Sequence, residues 1–194
     1  MKKYILGINS TGFNTSASLI CDNKIVAAVE EERLSREKRT RKFPNNAIKF
    51  CFDKAGISFQ NLEAIAVSWN PIINLENFDL NYSRNSSYFP SILHSTLNHV
   101  MKDVKNIKKD FFEQNLRLEN GKILKIFFVN HHLTHASSFF VSNFSESSIL
   151  TVDAFGEKQC VGFYSGNKNN IKKIHEQYFP HSLGSFYSTF TEFC

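Results

Sequence analysis

Asp22 and Asn23 constrain this chain more than any other pair of residues. They separate Ser16-Ala17-Ser18-Leu19-Ile20-Cys21 from Lys24-Ile25-Val26-Ala27-Ala28-Val29. Both tolerate the positive φ of a two-residue hairpin turn, so the flanking runs are expected to pair antiparallel. The apolar run Tyr4-Ile5-Leu6-Gly7-Ile8-Asn9 reads as a buried strand, joined to the first of them through a small polar turn at residues 10–15. The chain therefore opens as a three-stranded meander.

Pro44-Asn45-Asn46 opens a helix with Ala47, Ile48, Cys51 and Phe52 on one face, and Ala55-Gly56 stops it. Leu62 to Trp69 is a further strand. Residues 70–91 are polar and Asn-rich, an expected insertion loop packed through Phe78, Tyr82, Tyr88 and Phe89. Ile92 to Leu116 has a helical period, Lys122 to Val129 reads as a strand, and His131 to Ser142 as a helix. Strands at Ser148–Asp153, Gln159–Ser165 and Ile171–Tyr178 follow, and Ser185 to Phe193 begins another helix. This second group repeats the opening order of strand, hairpin, strand and helix. The repetition points to an α/β protein of the ribonuclease-H-like, actin-like (ASKHA) type. Its first subdomain would be complete over residues 1–145 and its second, 146–194, truncated. A copy that stops so early leaves a sheet edge and an apolar face uncovered. The chain is thus expected to be a fragment or truncated member of something longer, or to need a partner.

Composition narrows the class. An apolar fraction of 42% with 20 Phe residues suffices for a packed core. The net charge of +5 draws heavily on residues 33–42 and 102–109. The second stretch reads as a solvated face. The first follows a strand and three glutamates, and a basic loop there could hold a phosphate-bearing ligand. No aromatic-interleaved basic motif appears, which disfavours nucleic acid. Cys21, Cys51, Cys160 and Cys194 are scattered, with no CxxC pair, so a reduced cytoplasmic protein is expected. The start of the sequence does not read as a signal peptide, and no apolar run approaches the ~18 residues of a membrane span.

The chemistry concentrates in Asn130-His131-His132-Leu133-Thr134-His135-Ala136, directly after the apolar run Ile126-Phe127-Phe128-Val129. If a helix starts there, Asn130 can cap it, and His131 and His135 project from one face at i and i+4. Two imidazoles so placed can hold one divalent ion. Asp153, at the end of the run Ile149 to Val152, could supply an oxygen ligand or cap a turn. His132 is spaced as an alternative ligand but is expected in the core or bonded behind the ligands. Ser10, Thr11 and Gly12 form a turn whose backbone N–H groups could meet a phosphate. Gly156-Glu157 reads as a turn that could face a cleft, and Glu30-Glu31-Glu32-Arg33 either as a functional charged block or, for Glu31 above all, as a strand end with alternating exposed charges. Phe139, Phe140 and Phe144 are expected in the core.

Four ordered blocks carry a family likeness: Ile5-Leu6-Gly7-Ile8 with Ser16-Ala17-Ser18; Glu30 to Lys38; His131 to Phe139; and Leu150 to Glu157. Ser182 to Tyr187, with Thr191, forms a fifth. The chain resembles the N-terminal half of the carbamoyltransferase family that includes nodulation-factor and antibiotic O-carbamoyltransferases. It is more distantly similar to the tRNA threonylcarbamoyladenosine proteins.

The resemblance implies an actin-like domain that binds carbamoyl-adenylate, made elsewhere in such proteins from ATP and carbamoyl phosphate. The carbamoyl group then passes to a hydroxyl of a small-molecule or sugar acceptor. It implies a divalent metal, commonly iron, on His131, His135 and Asp153, with a further acidic ligand beyond residue 194. Residue types alone are equally compatible with zinc or manganese. The resemblance also places Lys38, with Arg36 beside it, near substrate or phosphate groups. One departure stands out. The family's His-Asp-Ala-Ser-Ala-like segment is Phe13-Asn14-Thr15-Ser16-Ala17 here, and Phe13 cannot act as a base. A remnant or nucleotide-binding module that needs a partner is therefore an open alternative, and a role related to tRNA modification is another. A kinase or ATPase of the same superfold predicts a carboxylate at the end of the first strand, where this chain has Asn9.

Overall fold

The computed structural model describes residues 2–10, 14–71, 73, 104–105 and 110–194. These fall into two compact units, Met1–Val129 and Asn130–Cys194.

In the first unit β1 (Tyr4–Asn9), β2 (Ser16–Cys21) and β3 (Lys24–Glu30) form the expected meander. Asp22 and Asn23 have φ of 47° and 65°, the positive pair that lets a two-residue turn follow the strands' twist. Two helices come next, α1 (Glu31–Ser35) and α2 (Asn45–Ala55), then β4 (Leu62–Val67), β5 (Val104–Lys105), β6 (Phe111–Arg117) and β7 (Ile123–Val129). The described strands join in one sheet of order β3-β2-β1-β4-β7-β6-β5. β1, β4 and β7 run parallel at its centre, and the outer pairings are antiparallel.

Register explains the core. Leu6 pairs with Leu19 on one side and Ile65 on the other, and Ile65 pairs with Ile126. Cross-strand partners share a face, so this row meets Ala47, Ile48, Cys51 and Phe52 of α2 in a single buried cluster. Each leucine buried there contributes about 1.5–3 kcal/mol of transfer free energy. On the other face Gly7 opposes Ser18, and a Cβ on Gly7 would lie 2.6 Å from Ser18 Oγ.

Two expectations for the first unit need correction. The helical period over residues 92–116 does not hold at its end, because residues 111–116 belong to strand β6. Asn120 and Gly121 close a hairpin there: Gly121 has φ of 83°, and Phe112 stacks on its cross-strand partner Phe128 at 4.5 Å. That tertiary pairing outweighs a short apolar period. Val104–Lys105 within the same stretch is also strand, β5; residues 92–103 and 106–109 and the aromatic residues of the 70–91 loop lie outside the described residues. The second correction concerns Glu31 and Glu32. They are not exposed strand-end charges; they begin α1 and are both buried.

Burial gives Glu31 a definite task. Its carboxylate accepts hydrogen bonds from the backbone N–H of Ala47 (2.8 Å) and Asn46 (3.4 Å) and from the Asn46 amide (2.6 Å). These are the first N–H groups of α2, which have no partner inside the helix. Pro44 stands at the cap position and offers no side-chain acceptor, so Glu31 serves instead.

In the second unit the short helix α3 (His131–Ala136) runs on into a 3-10 turn, Ser137–Val141. Then come β8 (Glu146–Val152), β9 (Gln159–Asn167), β10 (Asn170–Tyr178) and α4 (Leu183–Phe193). The strands form an antiparallel sheet of order β10-β9-β8. Phe139 is buried, as expected, and its ring lies over Gly166, where a Cβ would come within 2.8 Å of it. Phe140 and Phe144 are exposed, contrary to expectation. The helical period turns into a 3-10 turn at Ser137, and the changed angle per residue carries Phe140 off the inner face. Among the described residues no helix is long and apolar enough to cross a membrane.

Replacing Glu31 with alanine strands the Ala47 N–H and is expected to lower stability by about 1–3 kcal/mol. Urea unfolding checks this, and an unchanged midpoint at unchanged slope would count against the capping role.

Candidate metal centre

The second unit brings His131, His135 and Asp153 together. Asn130 caps α3 by accepting the Leu133 N–H at 2.9 Å, which sets the helix phase and turns both imidazoles to one side. β8 ends at Val152, and the next residue, Asp153, points Oδ2 at them. His131 Nε2 lies 2.8 Å from Asp153 Oδ2, His135 Nε2 lies 3.5 Å from it, and the two Nε2 atoms are 3.1 Å apart. The other carboxylate oxygen, Oδ1, accepts the Ala154 N–H at 2.8 Å. That bond leaves Oδ2 to the imidazoles.

This donor set suits a divalent ion. Ligand atoms about 2.1 Å from one ion, at tetrahedral or octahedral angles, stand about 3.0–3.4 Å from one another. All three atoms here lie within 4.8 Å of one another, at separations close to that range. Three electron-rich atoms facing one point repel unless a proton or a cation is shared among them. The His131 imidazole, then that of His135, hold the Asp153 carboxyl well below the usual carboxylate range, against the cost of its burial. The carboxylate is thus in its ligating form.

The supporting residues account for most of the other polar groups nearby. Glu157 is buried, and both of its oxygens accept the His131 N–H at 3.1 Å while Oε2 also takes the Asn130 amide at 3.3 Å. Gly156 packs so tightly that a Cβ would sit 3.0 Å from His132 Cδ2 and 3.3 Å from His131 Cβ. The backbone of Asp153 and Ala154 is clamped from the start of α4. Ser182 Oγ lies 2.7 Å from the Ala154 carbonyl oxygen and 3.1 Å from that of Asp153, with its one O–H shared between them, and it also accepts the Ser185 N–H as helix cap. Gly184 lies against the same two residues, where a Cβ would approach to 2.5 Å. His132 is fully buried, and burial, then the neighbouring imidazoles of His131 and His135, push it down to about 4. It is neutral at ordinary pH.

The remaining sequence candidates belong to the first unit. Lys38 Nζ lies 3.0 Å from Glu32 Oε1, and the Arg39 N–H donates to Glu32 Oε2 at 2.9 Å. Arg36 takes a left-handed conformation (φ 62°) at the end of α1, and its N–H bonds the Glu32 carbonyl. The basic loop is therefore folded around a buried carboxylate. Ser10 follows β1, while Thr11, Gly12 and Phe13 lie outside the described residues. Sequence reasoning missed the tasks of Glu31, Thr151 and Ser182. For Ser182 a signal existed: a serine three residues before Ser185, at the start of an apolar helix.

The chain is thus an α/β protein with a two-histidine, one-carboxylate cluster just beyond a strand end. This chain belongs to the carbamoyltransferase N-terminus family, which it matches over residues 4–194. It is 33% identical over 193 residues to an uncharacterised protein of Synechocystis sp., covering 97% of this chain and 31% of that protein. It is also 30% identical over 178 residues to the nodulation protein NolNO of Sinorhizobium fredii, covering 89% of this chain and 24% of that protein. An uncharacterised protein of Methanocaldococcus jannaschii is 27% identical over 189 residues, covering 97% of this chain and 29% of that protein. The chain thus spans about a quarter to a third of the length of these curated relatives.

Glu32 generates a pH prediction. The Arg39 N–H first, then Lys38, pull its carboxyl below the ordinary carboxylate value. A lowered folded-state value favours the ionised form, so its stabilising effect is full above the ordinary value and lost as pH falls through the lowered one. Glu32→Gln removes that component. Unfolding midpoints of the two proteins should diverge at neutral pH and converge on acidification; parallel curves would refute the assignment.

Proposed function

We propose that this chain is the N-terminal metal- and carbamoyl-adenylate-binding part of an O-carbamoyltransferase, built on an actin-like pair of units. The observation that carries the reading is the convergence of His131 Nε2, His135 Nε2 and Asp153 Oδ2 in a member of this family. The acceptor class is a small-molecule or sugar hydroxyl.

Carbamoyl transfer is acyl transfer. The acceptor oxygen bonds to the carbamoyl carbon, the bond from that carbon to the phosphate oxygen breaks, AMP departs with the electron pair, and the hydroxyl proton leaves to a base. Bound on His131, His135 and Asp153, a divalent ion (iron, with zinc or manganese also suited) supplies Lewis acidity toward carbonyl or phosphate oxygens. The chain's own residues prepare the site. Glu157 orients the start of α3 and hence His131. Ala154 and Ser182 fix the carboxylate of Asp153. Gly156, without a side chain, lets the turn it shares with Glu157 pack directly on His131 and His132. Arg36 and Lys38 supply cationic charge for phosphate groups, and the sequence Ser10-Thr11-Gly12 supplies neutral N–H donors for them. ATP and carbamoyl phosphate are used elsewhere in the whole protein, where the adenylate forms.

A second reading has one observation in its favour. Phe13 stands where the resemblance places a family histidine, which fits a protein that binds carbamoyl-adenylate without activating an acceptor.

Elemental analysis of the purified protein is expected to give about one divalent ion per chain. A His131→Ala, His135→Ala double variant should lose it; equal metal content in both proteins would sink the metal reading. Calorimetry with a non-transferable carbamoyl-adenylate analogue should show binding that weakens in the same variant. Analogue bound but no carbamoyl transferred, even with the rest of the protein supplied, would select the second reading.

A further inference from the structure

Strand β8 is inverted with respect to its chemistry. Its buried residue is Thr151, 6% exposed, while the flanking Leu150 and Val152 are 59% and 46% exposed. A strand that turns a hydroxyl inward between two outward apolar residues must give that hydroxyl a partner. The partner is His132, with no exposed surface, whose Nδ1 stands 2.8 Å from Thr151 Oγ1. The surroundings are shaped to admit this contact. Thr151 Oγ1 also reaches the Gly162 carbonyl at 3.5 Å, and a Cβ on Gly162 would lie only 2.7 Å from that same oxygen.

The contact joins two elements at the place where their spacing matters. His132 follows His131 on α3. Thr151 and Asp153 are two residues apart across the end of β8, where the Asp153 N–H still bonds the Cys160 carbonyl, so their side chains point to the same face. Thr151 meets His132, and Asp153 meets His131 and His135. The helix and strand ends are thus tied by two rungs, of which one is the ligand set and the other involves no ligand.

We propose that His132 and Thr151 are positioning residues. Their buried bond fixes the distance between α3 and β8 and so holds His131, His135 and Asp153 at ligating separation before any metal arrives. The inference deepens the metal reading above and rests on it. Losing a partner hydrogen-bonded directly to a metal ligand typically costs about 10–100-fold in metal affinity; this bond acts on the ligands through the backbones of α3 and β8, and that range bounds its effect.

The test compares Thr151→Val, which keeps the shape and removes the hydroxyl, with Thr151→Ser, which keeps the hydroxyl. Cobalt(II) titrated into the full chain and read by visible absorption gives affinity. Long-range proton–nitrogen spectra of the imidazoles in metal-free protein report the arrangement of His131 and His135, and thermal unfolding reports structural damage. Thr151→Val should bind cobalt more weakly, by up to about 100-fold. It should also shift the His131 and His135 resonances without metal while unfolding cooperatively. Thr151→Ser should return both to wild-type values. Unchanged affinity and resonances in Thr151→Val, or a serine variant as impaired as the valine one, would overturn the proposal. If Thr151→Val does not fold, His132→Asn, whose amide can stand in for Nδ1, is set against His132→Leu. Recovery in the asparagine variant alone supports the bond, and equal loss in both refutes it. Wild-type protein that takes up no cobalt defeats the metal reading instead, and the imidazole resonances of the metal-free variants still decide the pairing.

Discussion

The first N–H groups of a helix have no partner within it, and in each unit a buried glutamate from another segment answers them. Glu31, at the start of α1, takes the first N–H groups of α2. Glu157, in the turn after β8, takes the first N–H of α3. Each carboxylate docks a helix against the sheet of its unit, and each gains the favourable field of a helix N-terminus. Without Glu31, α2 would begin at Pro44 with no side-chain acceptor. Without Glu157, α3 would keep only the Asn130 cap, and the direction of His131 would loosen.

The same economy governs the candidate metal centre. A six-residue helix has little stability of its own, so its orientation comes from tertiary bonds at several points. Asn130 and Glu157 hold its start and His132 holds its inner face. Asp153 faces it from a strand whose end is gripped by Ser182 and Gly184. The segment that contains Ser182 and Gly184 thus has a physical reason to be near the carboxylate: it supplies a hydroxyl and a side-chain-free surface to the Asp153–Ala154 backbone. The basic block of the first unit is built on a comparable plan. Glu32, buried, gathers Lys38 and the Arg39 N–H, so the start of the basic loop is held by a fixed negative charge, while Lys42 pairs with Glu37.

Much of this was readable in the residues. The Asp22-Asn23 turn predicted its hairpin because φ preference is local. The Ala47, Ile48, Cys51 and Phe52 face was readable because helical periodicity needs no knowledge of the partner. The His131 and His135 pair was readable for the same reason, being a single helical turn. What could not be read was which polar groups go inside. Glu31, Thr151 and Ser182 are ordinary surface types by composition, and each is buried because a backbone N–H, an imidazole or a carbonyl from a distant segment meets it. The 92–116 period failed at its end for a related reason, since the pairing of β6 with β7 outweighs a short apolar repeat.

The residues in order therefore settled the local turns, the helix faces, the strand runs and the histidine spacing, all matters of a few consecutive dihedrals. The tertiary structure decided where Asp153 Oδ2 points, that His132 faces Thr151 rather than joining the cluster, and that Glu157 serves the backbone of His131. These outcomes turn on hydrogen bonds between residues 19 to 29 positions apart. No local preference encodes such distances; they follow from the packing of helix against sheet and the cost of burying a polar group without a partner.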